Sequence, residues 1–468
     1  MSDQKKKRIL LIYPPSPVLN REDRCQQPLE NLFVIPPLPP TDLMYLAAVA
    51  EGIGFEAKIA DYSLGGDYVK DLKEFEPDYL LVNVATPTFK TDIEAITLAK
   101  EICPKITTIA KGGTFLSHAL DVMYFSRDID FILYGEPEDT LRALLLGIAP
   151  YRIAGLYYRD DIRVKFTGPR PFIKDLDDLP FPARHLIDNT LYRRPDNNEV
   201  QAVIKVSRGC PFHCFFCLAT PLNGAEVRMR SPQNIIDEIK ECVEKYHIRN
   251  FVFWSDIFNI DKKWVMDLCN LIMGNNLDII WSANTRADTV DEEMAKIMYQ
   301  SGCRLVSIGV ESGSQEILNN IGKNLTLDDV KLAVKIFKKY RIKIYSYFII
   351  GLPWETEETV EDTVDFAIEL DTDFVSFYTA VPLPGTKFYN YAKENGLIDS
   401  NTSFKEAYFF PSVATHSLTK EQILKLHKQA VRKFYLRPSY ILKTLFKIKS
   451  KAEFKNYFDM GLKILLRK

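Results

Sequence analysis

The chain has 468 residues, a length that suits two or three domains. Hydrophobic residues make up 46% of it and charged residues 26%, and the formal net charge of −2 gives no reason to expect a nucleic-acid partner. No apolar run approaches the ~18–20 residues of a membrane span. Because the eight cysteines also follow no disulfide pattern, we expect a cytoplasmic protein.

Residues 1–150 alternate short apolar runs with segments of helical periodicity. The predicted strands are Arg8–Tyr13, Glu56–Ala60, Tyr79–Val84, Ile106–Ala110 and Ile129–Leu133. Five strands joined by helices predict an α/β domain built on a doubly wound parallel sheet.

The carboxyl ends of these strands form the edge where such a sheet binds ligands. The residues just beyond them include Pro14, Pro15, Thr86, Pro87, Thr88, Gly112, Gly113, Thr114, Gly135 and Glu136. Their small side chains, hydroxyl groups and backbone N–H groups suit a large ligand that carries amides and a phosphate. Tight turns alone would explain the same residues, so both interpretations stay open at this point.

Residues 151–198 are predicted to form a hairpin and a linker. Ala154–Tyr158 and Arg163–Phe166 are the two strands of the hairpin. The proline-rich segment Asp177–Arg184 is predicted to join two domains.

A second domain, residues 199–396, repeats strand and helix six times. The predicted strands are Gln201–Ser207, Asn250–Trp254, Ile279–Asn284, Leu305–Val310, Lys343–Ile350 and Phe374–Ala380. N-caps at Ser231 and Asp261 and a capping box from Thr326 to Asp329 mark the starts of three helices. Six repeats fall short of the eight of a closed barrel, so we expect a (β/α)₆ partial barrel with its chemistry at the carboxyl ends of the strands.

Three cysteines, Cys210, Cys214 and Cys217, directly follow the first of these strands. Thiols at spacings of four and three residues can all bind one inorganic cluster. An iron–sulfur cube takes four ligands, so three protein thiols would leave one iron free to bind a small molecule. The alternatives are a structural zinc site completed by His213, buried thiols without ligands and disulfides. Flanking glycine and proline residues favour a loop over a buried segment.

CxxxCxxC after a strand is the signature of the radical S-adenosylmethionine (SAM) enzymes, and the chain resembles their cobalamin-binding subfamily over about residues 8–396. The resemblance implies that the three cysteines bind a [4Fe–4S] cluster whose fourth iron is chelated by SAM. It also implies SAM contacts at the ends of the later strands, by Asp256, Arg286, Glu311, Ser312, Gly351, Pro353, Glu355 and Pro384. An interdomain ion pair is the alternative role for Arg286, and an ordinary helix start is the alternative for Glu311 and Ser312.

Relatives in this subfamily carry the same turns in the same order after the strands of the first domain. The resemblance therefore implies that the ten residues from Pro14 to Glu136 named above contact cobalamin. None of the six histidines stands in the Asp-x-His-x-x-Gly arrangement that supplies a lower axial ligand in other corrinoid proteins, so we expect no histidine on the cobalt. The turn departs from relatives at Thr114 and Phe115, which stand where relatives commonly have Pro-His.

The activity that the resemblance implies begins with reductive cleavage of SAM to a 5′-deoxyadenosyl radical, which abstracts hydrogen from an unactivated carbon. Methyl transfer from methylcobalamin to a small-molecule substrate, lipid-like or a tetrapyrrole, is the leading hypothesis. A reductant such as flavodoxin or ferredoxin is the implied partner. A cyclase or rearrangement enzyme is the alternative, and a non-catalytic corrinoid or redox module is the third.

Residues 397–468 are predicted to form a helical cap with a basic, amphipathic tail. From Arg432 onward, eleven Lys or Arg residues stand against two acidic ones, which gives the tail a charge of about +9. The apolar residues of its helical faces are Ile441, Leu442, Leu445, Phe446, Phe454, Tyr457, Phe458, Leu462 and Leu465. Contact with a membrane surface and packing on the protein itself explain this pattern equally well.

Overall fold

The structure, a computed structural model, describes residues 6–16, 19–21, 27–28, 37–194, 198–398 and 413–448, with seven further positions between 454 and 464. Two large sheets dominate it, one of seven strands and one of six. Within the described residues, no helix is long and apolar enough to cross a membrane.

The first sheet contains five parallel strands and an antiparallel hairpin, in the order β2-β1-β3-β4-β5-β6-β7. Its strands are β1 Arg8–Tyr13, β2 Glu56–Asp61, β3 Tyr79–Asn83, β4 Thr107–Lys111, β5 Phe131–Leu133, β6 Leu156–Asp160 and β7 Arg163–Phe166. The predicted doubly wound parallel sheet is confirmed. The hairpin, which was predicted within the linker, extends this sheet, because Leu156 and Tyr158 are buried in its core.

Five helices cover the two faces of this sheet: α1 Thr41–Gly52, α2 Tyr68–Phe75, α3 Phe89–Ile102, α4 Phe115–Phe125 and α5 Glu138–Leu145. Successive strand residues point to opposite faces. In β1, Ile9 and Leu11 pack with α1 and α5, whereas Leu10 and Ile12 pack with α2, α3 and α4. The strands are therefore buried on both sides, which is why they are almost continuously apolar.

The second sheet has six parallel strands that follow one another in chain order. They are β8 Gln201–Lys205, β9 Asn250–Trp254, β10 Ile280–Thr285, β11 Cys303–Glu311, β12 Lys343–Ile350 and β13 Phe374–Thr379. The helices between and after them are α6 Ala219–Asn223, α7 Pro232–Tyr246, α8 Lys262–Gly274, α9 Glu292–Gln300, α10 Gln315–Asn320, α11 Leu327–Lys339, α12 Glu357–Leu370 and α13 Lys387–Glu394. The six expected strand–helix repeats are present, and the caps at Ser231, Asp261 and Thr326 form as predicted.

The C-terminal helices α14 Lys420–Tyr435 and α15 Pro438–Lys447 cover the free edge of β13. The Tyr435 hydroxyl bonds both backbone groups of Val375, at 3.0 Å to the nitrogen and 2.5 Å to the oxygen. At the amino end of β13, the Tyr440 hydroxyl donates to the Asp373 carbonyl oxygen at 2.9 Å. An edge strand that would otherwise be open to pairing is thereby protected. Of the predicted cap, residues 399–412 lie outside the described residues.

The segment predicted as a linker also contacts both domains, through the buried Arg184 side chain and the Ala183 backbone. Arg184 is 2% exposed, and its Nη2 donates to the Val203 carbonyl oxygen at 2.9 Å and to Glu238. Arg230 pairs with the other oxygen of the same carboxylate. Next to Arg184, the Ala183 N–H donates to the Met44 carbonyl oxygen in α1 at 3.1 Å. This segment is therefore part of the domain interface.

Candidate active site

The three cysteines of the motif lie in one loop that follows β8. All three are partly exposed and none forms a disulfide, which rules out both the disulfide interpretation and the interpretation as buried thiols. The loop begins at Gly209, whose φ of +97° and whose position against the chain suit only glycine: a Cβ there would lie 1.9 Å from the Glu226 carbonyl oxygen.

The described residues contain no preformed site for a single zinc ion. Among the residues that the structure describes, no three His, Cys, Asp or Glu side chains converge on a site for one metal ion. A tetrahedral zinc ion with Zn–S bonds of about 2.3 Å would need sulfur atoms about 3.8 Å apart. In a [4Fe–4S] cube the ligating thiolates bind different irons, so three partly exposed thiols of one loop need only face the same space. The zinc site with His213 is therefore not formed.

Aromatic packing fixes the cysteine loop from within. Phe215, between the second and third cysteines, packs on Trp354, Phe388 and Tyr391, with ring centroids 5.0, 5.3 and 5.6 Å away. Its N–H donates to the Ile321 carbonyl oxygen at 2.9 Å. The spacer between the cysteines is thus an anchor to α10 and α13, a role that the cysteine spacing alone does not reveal.

Asp256 follows β9 and contacts the start of the cysteine loop. Its Oδ2 accepts hydrogen bonds from the Gly209 N–H at 2.7 Å and from Asn223 Nδ2 at 2.9 Å. The residue also lines the cleft between the two sheets. The structure therefore brings Asp256 to the cysteine loop, while its contact with the SAM amino group stays a prediction.

Arg286 is buried beneath the same loop. Its Nη2 donates to the carbonyl oxygens of Lys323 and Asn324, both at 2.7 Å, and its guanidinium carbon lies 3.8 Å from the ring centroid of Phe212. Its Nε pairs with Asp288 at 2.6 Å. Since Asp288 stands in the same turn, the alternative of an interdomain ion pair is wrong. Binding of the SAM carboxylate by Arg286 stays a prediction.

The turn after β11 places Glu311 and Ser312 in different surroundings. Glu311 Oε1 accepts from Lys323 Nζ at 2.7 Å. Ser312 is fully buried, and its hydroxyl lies 3.1 Å from the Thr363 hydroxyl and accepts from the Ser314 N–H at 3.1 Å. Ser312 therefore holds the turn, and its direct contact with SAM stays a prediction.

Glu355 organises the turn after β12. Its Oε2 accepts from the N–H groups of Gly351 and Leu352 at 2.6 and 2.9 Å, and Gly351 adopts a φ of +102°. Burial raises the pKa of Glu355 to about 8 even though the two backbone hydrogen bonds lower it. The carboxyl group is fully buried, so it supports the turn from the protein interior.

The two remaining predicted SAM residues both contact chain elements near the site. The Pro353 carbonyl oxygen accepts from the His416 N–H at 2.9 Å. Pro384 is buried just before Gly385, where a Cβ would lie 3.5 Å from side-chain atoms of Leu116 and Leu218. The SAM contacts of both prolines stay predictions.

A cleft lies between the carboxyl edge of the first sheet and the cysteine-bearing end of the second. Of the residues predicted at that edge, Gly112, Gly135 and Glu136 line it. The other seven predicted residues, Pro14, Pro15, Thr86, Pro87, Thr88, Gly113 and Thr114, are not among its lining. The cleft thus lies beside β4 and β5, and no histidine of the described residues lines it.

An arginine that the sequence did not single out occupies the neighbouring crevice between β1 and β3. Arg21 is buried, with its Nη1 3.0 Å from both the Asn83 carbonyl oxygen and Asp92 Oδ2. The Thr88 hydroxyl donates to the same Asp92 oxygen at 2.7 Å, and the Thr86 and Thr114 hydroxyls lie 2.6 Å apart. At this strand junction, a common ligand site of doubly wound sheets, these polar side chains bond to one another and to the backbone.

Ion pairs join the two domains across the floor of the cleft. Asp42 of α1 contacts Lys111 at 3.1 Å and also pairs with Lys205 at the end of β8. Burial opposes ionisation of Asp42, but the two lysines outweigh it and hold its pKa well below the usual range. Arg208 likewise pairs with Glu138 of α5 at 2.5 Å. These pairs set the separation of the two walls.

Residues 204–367 match the radical SAM superfamily. The chain is 33% identical to an uncharacterized methyltransferase of Pyrococcus horikoshii, over 87% of this chain and 90% of the relative. It is 26% identical to the anaerobic magnesium-protoporphyrin IX monomethyl ester cyclase of Rubrivivax gelatinosus, over 86% of this chain and 75% of that protein. It is also 26% identical to the cytidylyl-2-hydroxyethylphosphonate methyltransferase of Streptomyces wedmorensis, over 84% of this chain and 83% of that protein.

Two solved structures share the fold along nearly the whole chain. TsrM of Kitasatospora setae, a radical SAM methyltransferase solved with cobalamin and a [4Fe–4S] cluster, gives a TM-score of 0.74 at 16% identity, over 98% of this chain and 99% of that one. OxsB, a cobalamin-dependent SAM radical enzyme solved with aqua-cobalamin and SAM, gives 0.74 at 15% identity, over 98% of this chain and 71% of that one. The two-sheet arrangement is therefore one that known proteins adopt.

Proposed function

The chain belongs to the radical SAM superfamily of enzymes, and on that premise we propose that it is a cobalamin-dependent methyltransferase acting on a small molecule. The observation that carries the proposal is the position of the cleft. One wall is formed by turns of the first sheet and the other by residues next to the cysteine loop, such as Asp256. A ligand in the cleft would thus face the cluster loop.

The residues present fit both prosthetic groups. Cys210, Cys214 and Cys217 would hold the cluster, and Gly135 leaves the first-domain wall of the cleft open to a flat ligand, because a Cβ there would meet nothing within 4 Å. When bound, the cluster would supply the electron that cleaves SAM to a 5′-deoxyadenosyl radical, and cobalamin would supply the methyl group.

The chain's own residues position the reactants and keep water out. Asp256 holds the cysteine loop through Gly209 and presents a carboxylate to the space beside it. Glu355 fixes the turn after β12 by binding two backbone N–H groups. The interdomain pairs made by Asp42 and Arg208 hold the walls together. Such fixed, buried groups are what the control of a reactive radical requires.

We keep Gly112, Gly135 and Glu136 as the proposed cobalamin contacts of the first domain, because they line the cleft. The seven predicted residues that do not line the cleft stay predictions. No histidine is among the described residues that line the cleft, and the lack of a histidine on cobalt stays a prediction from the sequence.

Methyl transfer is favoured over cyclisation by the relative that is 33% identical and is named a methyltransferase. The related ester cyclase keeps cyclisation as the second candidate and a tetrapyrrole as one substrate class to test. The proposed external reductant is a flavodoxin or ferredoxin, since reduction of the cluster needs a one-electron donor.

The deciding experiment follows the methyl group of SAM. Anaerobically reconstituted protein is incubated with reductant, cobalamin, candidate lipids or tetrapyrroles, and SAM labelled in its methyl group. We expect a product that carries the label, and no product from the Cys214→Ala variant. Product without label would establish the cyclase alternative, and SAM left uncleaved with every substrate would favour a non-catalytic module.

We also propose that the basic tail contacts an anionic membrane surface. In α15, Leu442, Leu445 and Phe446 are 56%, 52% and 88% exposed, and the tail around them is strongly basic. This helix stands at the amino end of β13, whereas the cysteine loop stands at the carboxyl end of the parallel strand β8. Docking through α15 would therefore direct the cleft away from the bilayer, so we place substrate entry from the aqueous side.

A surface variant tests the membrane contact without uncovering β13. Replacing Leu445 and Phe446 by serine leaves Tyr435 and Tyr440 to hold the edge strand. We expect the full-length protein to co-sediment with anionic vesicles and the variant to remain in the supernatant. Equal sedimentation of the two proteins would refute the proposed contact. Leu465, which belongs to the predicted apolar face, lies outside the described residues.

A further inference from the structure

A buried ion pair beside the cysteine loop joins Glu311 to Lys323, a residue that has no role in the chemistry described above. Lys323 Nζ lies 2.7 Å from Glu311 Oε1, and the two side chains are only 11% and 10% exposed. Glu311 adopts a φ of +72° next to an irregularity in the pairing of β11 with β12. Such a backbone persists only where its surroundings hold it. The lysine therefore helps to fix the Glu311 carboxylate in one place.

The segment that carries Lys323 also supports the cysteine loop. Phe215, between two of the cysteines, donates its N–H to the Ile321 carbonyl oxygen at 2.9 Å. Arg286 donates to the Lys323 carbonyl oxygen at 2.7 Å and stacks on Phe212, also between two cysteines, at 3.8 Å. Lys323 is thereby held at a fixed position relative to the loop.

The chain next to Lys323 lies against the segment that carries Cys214. A Cβ on Gly322 would lie 3.9 Å from the carbonyl oxygen of His213, the residue before Cys214. Burial disfavours the charged form of Lys323, but the Glu311 carboxylate favours it, and the balance raises the pKa of Lys323 above its usual value. Lys323 thus holds its ammonium group in the region of the cysteine loop.

We propose that Lys323 is a positioning residue that fixes the Glu311 carboxylate and holds a positive charge beside Cys214, which favours reduction of the cluster. The inference rests on the proposed function, because it needs a cluster on the three cysteines. When the external reductant gives one electron to the cluster, the cluster gains one negative charge. No bond forms or breaks at Lys323 and its proton stays on Nζ, so its effect on the reduction is electrostatic.

Two substitutions that change the local charge in opposite directions test the proposal. Lys323→Met removes the cation, and Glu311→Gln removes the anion that partly neutralises it. In reconstituted protein we expect the equilibrium constant for cluster reduction to fall about tenfold in the first variant and to rise about tenfold in the second. For a one-electron couple each change corresponds to about 59 mV in an EPR-monitored redox titration.

Three controls make the result specific to the charge. Lys323→Arg keeps the cation and should restore the wild-type potential, whereas Lys323→Met should not. Lys331→Met removes an exposed lysine of α11 that pairs with Glu369 and should leave the potential unchanged. Potentials that stay at the wild-type value in both pair variants, or that move in the same direction, would overturn the proposal.

The experiment separates this inference from the proposed function. If wild-type protein takes up no cluster, the proposed function fails. If wild-type protein holds a cluster but the potentials do not move with the charge, only the role of Lys323 fails. Should Lys323→Met not retain iron, Glu311→Gln decides alone: an upward shift supports the proposal, and no shift or a downward shift overturns it.

Discussion

The Glu355→Gln substitution tests whether the carboxyl group that holds the turn after β12 is protonated in the folded protein. The glutamine keeps an oxygen that can accept from the N–H groups of Gly351 and Leu352, but it cannot ionise. In the wild-type protein burial raises the pKa of this carboxyl group from 4.5 to about 8. A group whose pKa is higher in the folded state stabilises the fold fully below its unfolded pKa, and that stability is lost as the pH rises through the folded pKa.

The size of the effect follows from the shift. One pKa unit corresponds to about 1.4 kcal/mol, so raising the pH from 5 to 8 should cost the wild-type protein about 3 kcal/mol at this position. The Glu355→Gln protein should not lose this contribution. Relative to the wild type, its free energy of unfolding should therefore rise by about 3 kcal/mol over the same interval.

Urea unfolding of the anaerobic apo-protein at a series of pH values measures this difference. Glu357→Gln is the matched control, because Glu357 is an exposed acid in the first turn of α12; its pH dependence should follow that of the wild type. Parallel curves for Glu355→Gln and wild type would refute the reasoning, since they would mean that Glu355 is ionised in the folded protein at neutral pH.

Further predictions concern the domain interface and the cysteine loop. Glu238→Leu leaves the two buried arginines, Arg184 and Arg230, without their shared carboxylate. The free energy of unfolding, measured in urea, should fall by about 3–5 kcal/mol. A loss below about 1 kcal/mol would mean that these ion pairs behave like solvent-exposed ones. Gly209→Ala would place a Cβ 1.9 Å from the Glu226 carbonyl oxygen and should abolish iron uptake, whereas Gly274→Ala, with nothing within 4 Å, should leave iron uptake intact. Full iron uptake by Gly209→Ala would show that the loop start can shift without losing the cluster.

Much of the fold could be predicted from local patterns. Apolar runs such as Arg8–Tyr13 and Lys343–Ile350 are strands with the expected bounds, because strands covered on both faces are apolar along their length. Capping signals such as Ser231 are equally local. The hairpin at Leu156 was assigned to the linker instead, because its pairing with β5 depends on burial of side chains against a sheet formed by residues far away in sequence.

The candidate site was predictable only where a motif fixes it. The cysteine spacing and the turns after the strands indicated which segments meet, but not which way each side chain faces. Ser312 and Glu355 face inward and hold their own turns. Lys323 and Arg21 act through partners 12 and 71 residues away in sequence, so spacing within a motif could not reveal them.

The central claim is that three thiolates hold a [4Fe–4S] cluster with one iron open to SAM, and EPR of the reduced, reconstituted protein tests it most directly. The account predicts the signal of one reduced cluster per chain, with g-values that change when SAM is added. A signal that SAM does not alter, or protein that binds zinc in place of a cluster, would contradict it.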